Sequence, residues 1–359
     1  MPKQIKTKTQ LMAKLSDDKF VFNDSEFEEL LFWGYYHLIN SYTTKEIRTN
    51  GKDKKVSDIL LINKLNLKLS NIILPILLQI ETYIKQRYVD TILDFIEDGN
   101  PYIESFIKFC SSDAKDYVEM RKGYTKILSS SIMKNSPIVE NFYSKNQDIP
   151  FWALIELLTV GEFMTIFSKD WMSDEVINSF NKKVKMQSII DSVSNKESKI
   201  DNFILKMILN SFKKIRNNIA HCQPIIDSRG FEQIKKGKKG PASKGYTTRG
   251  DKDQQFIFIK HVVTSFEQDI EIINLFKNVQ ENIKMRSIFD YILIAIILYY
   301  NFDLNKYSDD IYIENLVKFL DDNLLNNQEI SNSDIFQCVY NDHTKSEIKL
   351  ILKMIELYK

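Results

Sequence analysis

Residues 213–222 read KKIRNNIAHC and hold one of only four histidines in a chain of 359 residues. Arg216 and His221 stand five positions apart with Asn217 between them, and Pro224 follows. Proline disfavours helical geometry in the residue before it, so a helix through this stretch should stop at about Cys222. His221 then lies in the last turn, where the negative end of the helix dipole favours imidazolium. From an ordinary pKa near ~6.5, such a histidine gives and takes protons near neutral pH. Asn217 is one turn back on the same face, placed to hydrogen-bond the imidazole or a substrate oxygen. Arg216 is about 140° around an ideal helix from His221 and ~7.5 Å along it. Its long fork of donors suits phosphate, and a facing helix or a second subunit would ease convergence on one ligand. Lys213 and Lys214 add positive charge one turn earlier.

The chemistry that uses this set is metal-free cleavage of RNA. A base removes the 2′-hydroxyl proton, the oxygen attacks the neighbouring phosphorus, and an acid protonates the leaving 5′-oxygen. Histidine suits both transfers, and arginine suits the extra charge on the pentacovalent phosphorus. DNA lacks the 2′-hydroxyl and is inert to this route. No cluster of closely spaced Asp, Glu or His marks a metal centre, and no cofactor is expected. With seven Arg and four His, about 0.08 Arg–x4–His matches arise by chance. The competing reading is a basic helix end whose histidine bonds a backbone carbonyl. The other histidines are plainer: His37 lies in an aromatic stripe, His261 opens an apolar helix, and His343 sits in a polar turn.

The elements that must position these groups are helical. Apolar residues recur every three or four positions over about 25–42, 56–98, 101–131, 150–168, 172–193, 198–222, 261–300, 308–326 and 345–358. Ile204, Ile208, Phe212, Ile215 and Ile219 form one such stripe. Asp148 and Pro150 before FWALIELL suit an N-cap followed by proline in the first turn. One short run, residues 254–262 (QQFIFIKHV), reads as a strand that pairs with 223–227 in a small hairpin. The fold class is all-α, a bundle of long helices.

Between those two runs lies a glycine-rich basic loop. From Arg229 to Lys252 it carries eight Lys or Arg against Glu232 and Asp251, a local excess of +6. Such a loop is a solvated insertion or a phosphate-gripping flap. In the second case Lys235, Lys236, Lys238, Lys239 and Arg249 contact phosphates, and Phe231 and Tyr246 stack on bases.

Bulk composition bounds the rest. Lys and Arg number 49 against 48 Asp and Glu, a net charge of +1. A polycation is excluded, so any nucleic-acid surface is a local patch. Cys110, Cys222 and Cys338 form no CxxC pair, which points to a reducing compartment without disulfides or structural zinc. No apolar segment follows the basic start, and the longest apolar run, residues 291–300, is half the ~20 residues of a membrane span. A soluble, cytoplasmic protein with no membrane partner is expected.

RNNIAH resembles the R-x4-H motif of the HEPN superfamily, in its form with Asn after Arg. LLFWGYYHLINSY (30–42) is similar to the early GYY block of the Abi-like family of bacterial abortive-infection proteins, the AbiD/AbiF type. IPFWALIELLTVGE (149–162) is similar to that family's P-x-W block, and QIETYIKQR (79–87) to its acid-then-basic helix. His37 stands where the first block would carry a basic residue. The resemblance implies a HEPN-like helical bundle over 1–227; it does not reach the basic insertion 228–254, and helical hydropathy that continues without a clear linker makes 255–359 a helical extension. It implies a metal-independent endoribonuclease, toxin-like, acting in phage defence by abortive infection. Arg216 would polarise the scissile phosphate, His221 would transfer protons and Asn217 would orient one of them. A chain with one motif implies a homodimer with both sites at the two-fold axis. RNA is the implied substrate, and a small noncoding RNA a further implied partner.

Glu81 and Glu156 are acids inside apolar helical stretches. A buried carboxylate needs a partner, and Arg216 or Lys85 can supply one; otherwise both are partly exposed structural acids. Trp33, Tyr35, Tyr36 and Trp152 read as core packing, with base stacking by one tyrosine as the alternative. Two other functions compete: a non-catalytic module that holds a guide or antitoxin RNA, and a helical scaffold with no nucleic-acid role.

Overall fold

A computed structural model describes residues 7–43, 47–48, 50–96, 107–108, 117–118, 121–122, 125, 136–145, 147–167, 174–186, 212–213, 215–220, 259–260, 262–266, 268–281, 289–307, 310–327, 335–336, 340 and 342–359. Among them the elements are α1 (Lys8–Asp17), β1 (Phe20–Val21), α2 (Asp24–Trp33), α3 (Tyr35–Tyr42), β2 (Lys54–Lys55), α4 (Val56–Phe95), α5 (Pro137–Ser144), α6 (Phe151–Leu157), α7 (Val160–Phe167), α8 (Asp174–Lys183), α9 (Ile270–Glu281), α10 (Phe289–Asn301), a 3-10 turn (Leu304–Lys306), α11 (Ile311–Lys318), a π-helix (Phe319–Leu325) and α12 (Asp342–Tyr358). The fold is all-α; the two strands pair in parallel over two residues each, Phe20 opposite Lys54.

The chain divides into two compact units. The first comprises Met1–Ile76, Lys214–Ile297 and Ser308–Lys359. Its N-terminal helices start where side chains cap the free amides. Thr7 and Gln10 form a reciprocal capping box on α1, and Asn23 and Glu26 do the same on α2. The 25–42 pattern is two helices rather than one. Gly34, at φ +96°, ends α2 in the left-handed region and starts α3. The buried faces explain the break. Phe27 and Leu30 face inward on α2, and Tyr35, Leu38, Ile39 and Tyr42 on α3. On one continuous helix the centres of these two faces would lie about 100° apart, and the turn at Gly34 lets each face inward.

In the same unit α9 packs against α12. Lys353 of α12 joins the junction, 3.3 Å from Asp269 and 3.2 Å from Glu271. Asp269 caps α9, accepting from the amides of Glu271 at 2.9 Å and Ile272 at 3.1 Å. The Ile272 amide, with Lys353, holds the Asp269 carboxyl below its usual range, and the bond to Glu271 pushes the Lys353 ammonium upward. After α11 the chain widens into the seven-residue π-helix, where Lys68 of α4 donates to Asn323 at 3.2 Å and covers the Phe319 ring.

The second unit comprises Leu77–Lys213 and Leu298–Tyr307. Its core is aromatic. Tyr88 of α4 meets Phe151 of α6, Phe163 of α7 and Phe180 of α8, with ring centroids 5.3 to 6.0 Å apart. Tyr83 stacks on Phe302 at 4.7 Å and donates its hydroxyl to the Lys183 carbonyl. Lys183 bridges to Asp94, and Lys185 to Asp303.

Helix α4 has 40 residues, with Pro75 inside it removing one backbone donor. It is long and apolar enough to cross a membrane, yet 56% of its most apolar window is buried, as in a core helix. Leu65, Leu69, Ile73, Ile76, Ile80 and Ile84 form its inward stripe.

Other expectations are revised. The pattern at 150–168 splits into α6 and α7, and that at 261–300 is interrupted by turn residues Ser265, Phe266 and Gln268 before α9 begins at Ile270. The N-cap of α6 is Pro150 itself, in extended geometry with no side-chain cap, not Asp148. Ile259, Lys260 and Val262 are helical where a strand was expected. Its intended partner, 223–227, lies outside the described residues, as does most of 101–131. His343 is not in a polar turn: Asp342 already starts α12, and the imidazole is buried in its first turn.

Candidate functional site

The motif helix presents its apolar residues inward. Phe212, Ile215 and Ile219 are buried, Lys213, Arg216, Asn217 and Asn218 are half-buried, and Ala220 is exposed. On an ideal helix Arg216 lies about 70° from the centre of the buried face and Asn217 almost opposite it. Arg216 therefore occupies a shoulder of the helix, in keeping with its half-buried state. His221 lies outside the described residues, as do Lys214, Lys235, Lys236, Lys238, Lys239 and Arg249.

Lys213 belongs to the second unit. Its side chain crosses the bare face of Gly161, where an added Cβ would meet Lys213 Cε at 3.5 Å and Nζ at 3.8 Å. Gly161 belongs to the first turn of α7, and that turn starts in a capping box. The Thr159 amide donates to Glu162 at 2.9 Å, and the Glu162 amide to the Thr159 hydroxyl oxygen at 3.2 Å.

Just before it, α6 ends at Leu157, with Leu158 as its C-cap. The Leu158 carbonyl, beyond the last helical turn, accepts from the buried Lys85 ammonium at 2.6 Å. Lys85 also donates to Glu81 Oε1 at 2.7 Å. Both side chains are buried, so this i,i+4 pair is shielded from solvent and its attraction is stronger than at a surface. A cation at a helix C-terminus also matches the dipole. The partner of Glu81 left open between Arg216 and Lys85 therefore includes Lys85. The pair fixes where α6 stops and hence where the α7 turn beside Lys213 begins. Glu156 is different: it is exposed on α6 and accepts from Gln86 at 3.3 Å.

The aromatics divide. Tyr35 is core, and burial, reinforced by Asp18, pushes its hydroxyl pKa up to about 12. Trp33, Tyr36 and Trp152 are not core; each keeps 41% or more of its surface exposed. For Trp33 and Tyr36 the cause is the Gly34 turn, which spends the inward direction on Leu30 and Tyr35. Trp152 stands edge-on to Phe142 on the outside of α6. His37 is exposed beside Tyr36.

One pair escaped sequence reasoning altogether. His343 Nε2 lies 3.1 Å from Glu347 Oε1, with side chains 2% and 1% exposed. The signal was present, since His and Glu four apart share a helix face, but the polar letters around His343 hid the helix start.

Neither a curated protein nor a solved structure matches the chain. A family model described as Abi-like protein matches residues 28–227. That span holds the GYY block at the Gly34 turn, Glu81 and Lys85, the α6–α7 block and the motif from Arg216 to His221. The match covers more than half of the 359 residues: the chain is a member of the Abi-like family, and that membership implies a part in abortive infection, a defence against phage.

Proposed function

We propose that the chain is a metal-independent endoribonuclease that acts in phage defence by cutting RNA through its 2′-hydroxyl. The observation that supports this best is the half-buried Arg216 and Asn217, presented on one helix five and four residues before His221 within the matched span. His221 takes the 2′-hydroxyl proton while the O2′–P bond forms. The P–O5′ bond then breaks and its oxygen takes a proton, leaving a cyclic phosphate and a 5′-hydroxyl. Arg216 meets the charge that grows on the phosphoryl oxygens, and Asn217 orients the imidazole. Lys213 adds attraction for the strand at the same helix. Glu81 and Lys85 hold the α6–α7 turn against which Lys213 lies. A homodimer brings two such helices to one two-fold axis and gives each Arg216 a second route to the phosphate.

The test uses the full chain, single-stranded RNA and a chelator. His221→Ala should lower cleavage by about 10²–10⁴-fold with an unchanged circular-dichroism spectrum, and Arg216→Ala should do likewise. Retained cleavage in both variants, or a strict requirement for magnesium, would overturn the reading. The +6 excess of the basic loop supports a second reading, in which the protein holds a small noncoding RNA without cutting it. Copurified RNA that stays intact and is released by high salt would favour that reading.

A further inference from the structure

The turn at Gly34 leaves three large rings in solvent: Phe32 is 79% exposed, Trp33 41% and Tyr36 49%. They lie within five residues, on the last turn of α2 and the first of α3. Soluble chains seldom place rings of this size together in water without a use for them. They are also held in position. Phe32 and Trp33 meet edge to face at 5.0 Å and 83°, and Tyr36 stands edge to face on the buried Tyr35 at 5.0 Å and 78°. An edge-to-face pair consumes a face of only one of its rings, so flat faces remain available. Lys14 places its ammonium 6.0 Å from the Tyr36 centroid.

Two occupants suit such a surface, a second copy of the chain or the bases of an unpaired strand. Area weighs against the copy. Rings of about 150–250 Å² each, exposed to these fractions, offer roughly 350 Å², less than half of the ~800 Å² per partner in a stable interface. Charge does not oppose the strand. Glu28 and Glu29, one turn before Phe32 and Trp33, are each neutralised by a lysine, Lys8 at 2.8 Å and Lys64 at 3.2 Å. Lys14 then stands as the cation beside the Tyr36 ring, with Asp18 acting on the neighbouring Tyr35.

We infer that Phe32, Trp33 and Tyr36 form a stacking strip for two or three bases of a single-stranded RNA, with Lys14 drawing in the backbone. The strip binds through faces that every base has, so it grips without reading sequence. It rests on the reading that this chain handles RNA, and it assigns to the early GYY block the holding of an unpaired segment.

The experiment uses the full chain and a fluorescent single-stranded RNA whose riboses all carry 2′-O-methyl groups, so that nothing can be cut. Fluorescence anisotropy reads affinity, and quenching of tryptophan emission reads stacking. Trp33→Ala and Phe32→Ala should each weaken binding about tenfold, on the order expected for one stacked base. Trp33→Phe, which keeps a ring, should retain most of the affinity, and duplex RNA of the same length should bind equally to all forms. Unaltered affinity in a Phe32→Ala, Trp33→Ala, Tyr36→Ala triple variant with a native circular-dichroism spectrum would overturn the strip. So would variants that turn a dimer into a monomer at constant RNA affinity, which would make a second copy the occupant. Because this strand cannot be cleaved, the result is independent of Arg216 and His221. Loss of the nuclease reading shows instead as cleavage of ordinary RNA by Arg216→Ala and His221→Ala at the parent rate.

Discussion

Two aromatic clusters of this chain have similar composition and opposite fates. Tyr88, Phe151, Phe163 and Phe180 meet inside the second unit, contributed by four helices that each point one ring at the same centre. Phe32, Trp33 and Tyr36 come from one local stretch of the first unit and point outward. The difference lies in convergence rather than hydrophobicity. A ring is buried when other elements close over it, and sequentially adjacent rings on a helix end cannot all share one inward direction. The inner cluster carries stability, whereas the outer one is free to carry contacts.

The comparison breaks most decisively at Tyr88. Tyr88→Ala should cost about 3–5 kcal/mol in denaturant unfolding, as a large ring leaves a cavity among three others. Phe32→Ala should stay within ~0.5 kcal/mol in the same measurement. Similar losses at both positions would mean that the outer rings are structural.

Lys85 gives the next effect. Lys85→Met leaves Glu81 buried without that cation and strips the Leu158 carbonyl of a donor, so a loss of about 3 kcal/mol is expected. Glu81→Leu combined with Lys85→Met should recover much of it, because the pair then disappears as a unit. A double variant as unstable as the single one would place the value of Lys85 in its bond to Leu158 alone.

The smallest effect is at the α9–α12 junction and depends on pH. The Asp269 carboxyl is held below its unfolded value, so the stability it supplies is complete above the ordinary carboxylate range near ~4. That stability is lost as pH falls through the depressed folded value. Asp269→Asn should therefore unfold more easily than the parent at neutral pH and match it in strong acid. A constant difference across the titration would show that the carboxylate charge is not what Ile272 and Lys353 hold.

Much of the architecture was legible from apolar spacing. The inward stripe of α4 and the buried Phe212, Ile215 and Ile219 follow directly from positions three and four apart. The breaks were harder to see. At Gly34 and at Leu158–Thr159 apolar residues continue on both sides, so the periodicity runs on while the axis turns. Each break still carried a local mark, a glycine in one case and Thr159 three before Glu162 in the other. The fate of Trp33 and Trp152 was not legible, because the side of a helix that others cover is decided by distant residues. Arg216 and Asn217 are helical, as the apolar spacing of Phe212, Ile215 and Ile219 required. Glu81 found Lys85 because i,i+4 neighbours meet on any helix, whatever the tertiary fold. His343 was misread because the letters of Asn341 and Asp342 suggest a turn, and only the place of Asp342 at a helix start puts the imidazole inside.

Gly34 has a further consequence. A Cβ there would meet nothing closer than the Cβ of His37 at 3.6 Å, so space is not what reserves the position for glycine. The constraint is torsional: at φ +96° an L-residue adds roughly 1–2 kcal/mol. An unbroken rod would relieve that strain only by turning Tyr35, Leu38, Ile39 and Tyr42 out of the core, so a replacement keeps the turn and carries the strain. The residue with no side chain thus acts as the pivot of FWGYY, and counting aromatics alone would miss its loss.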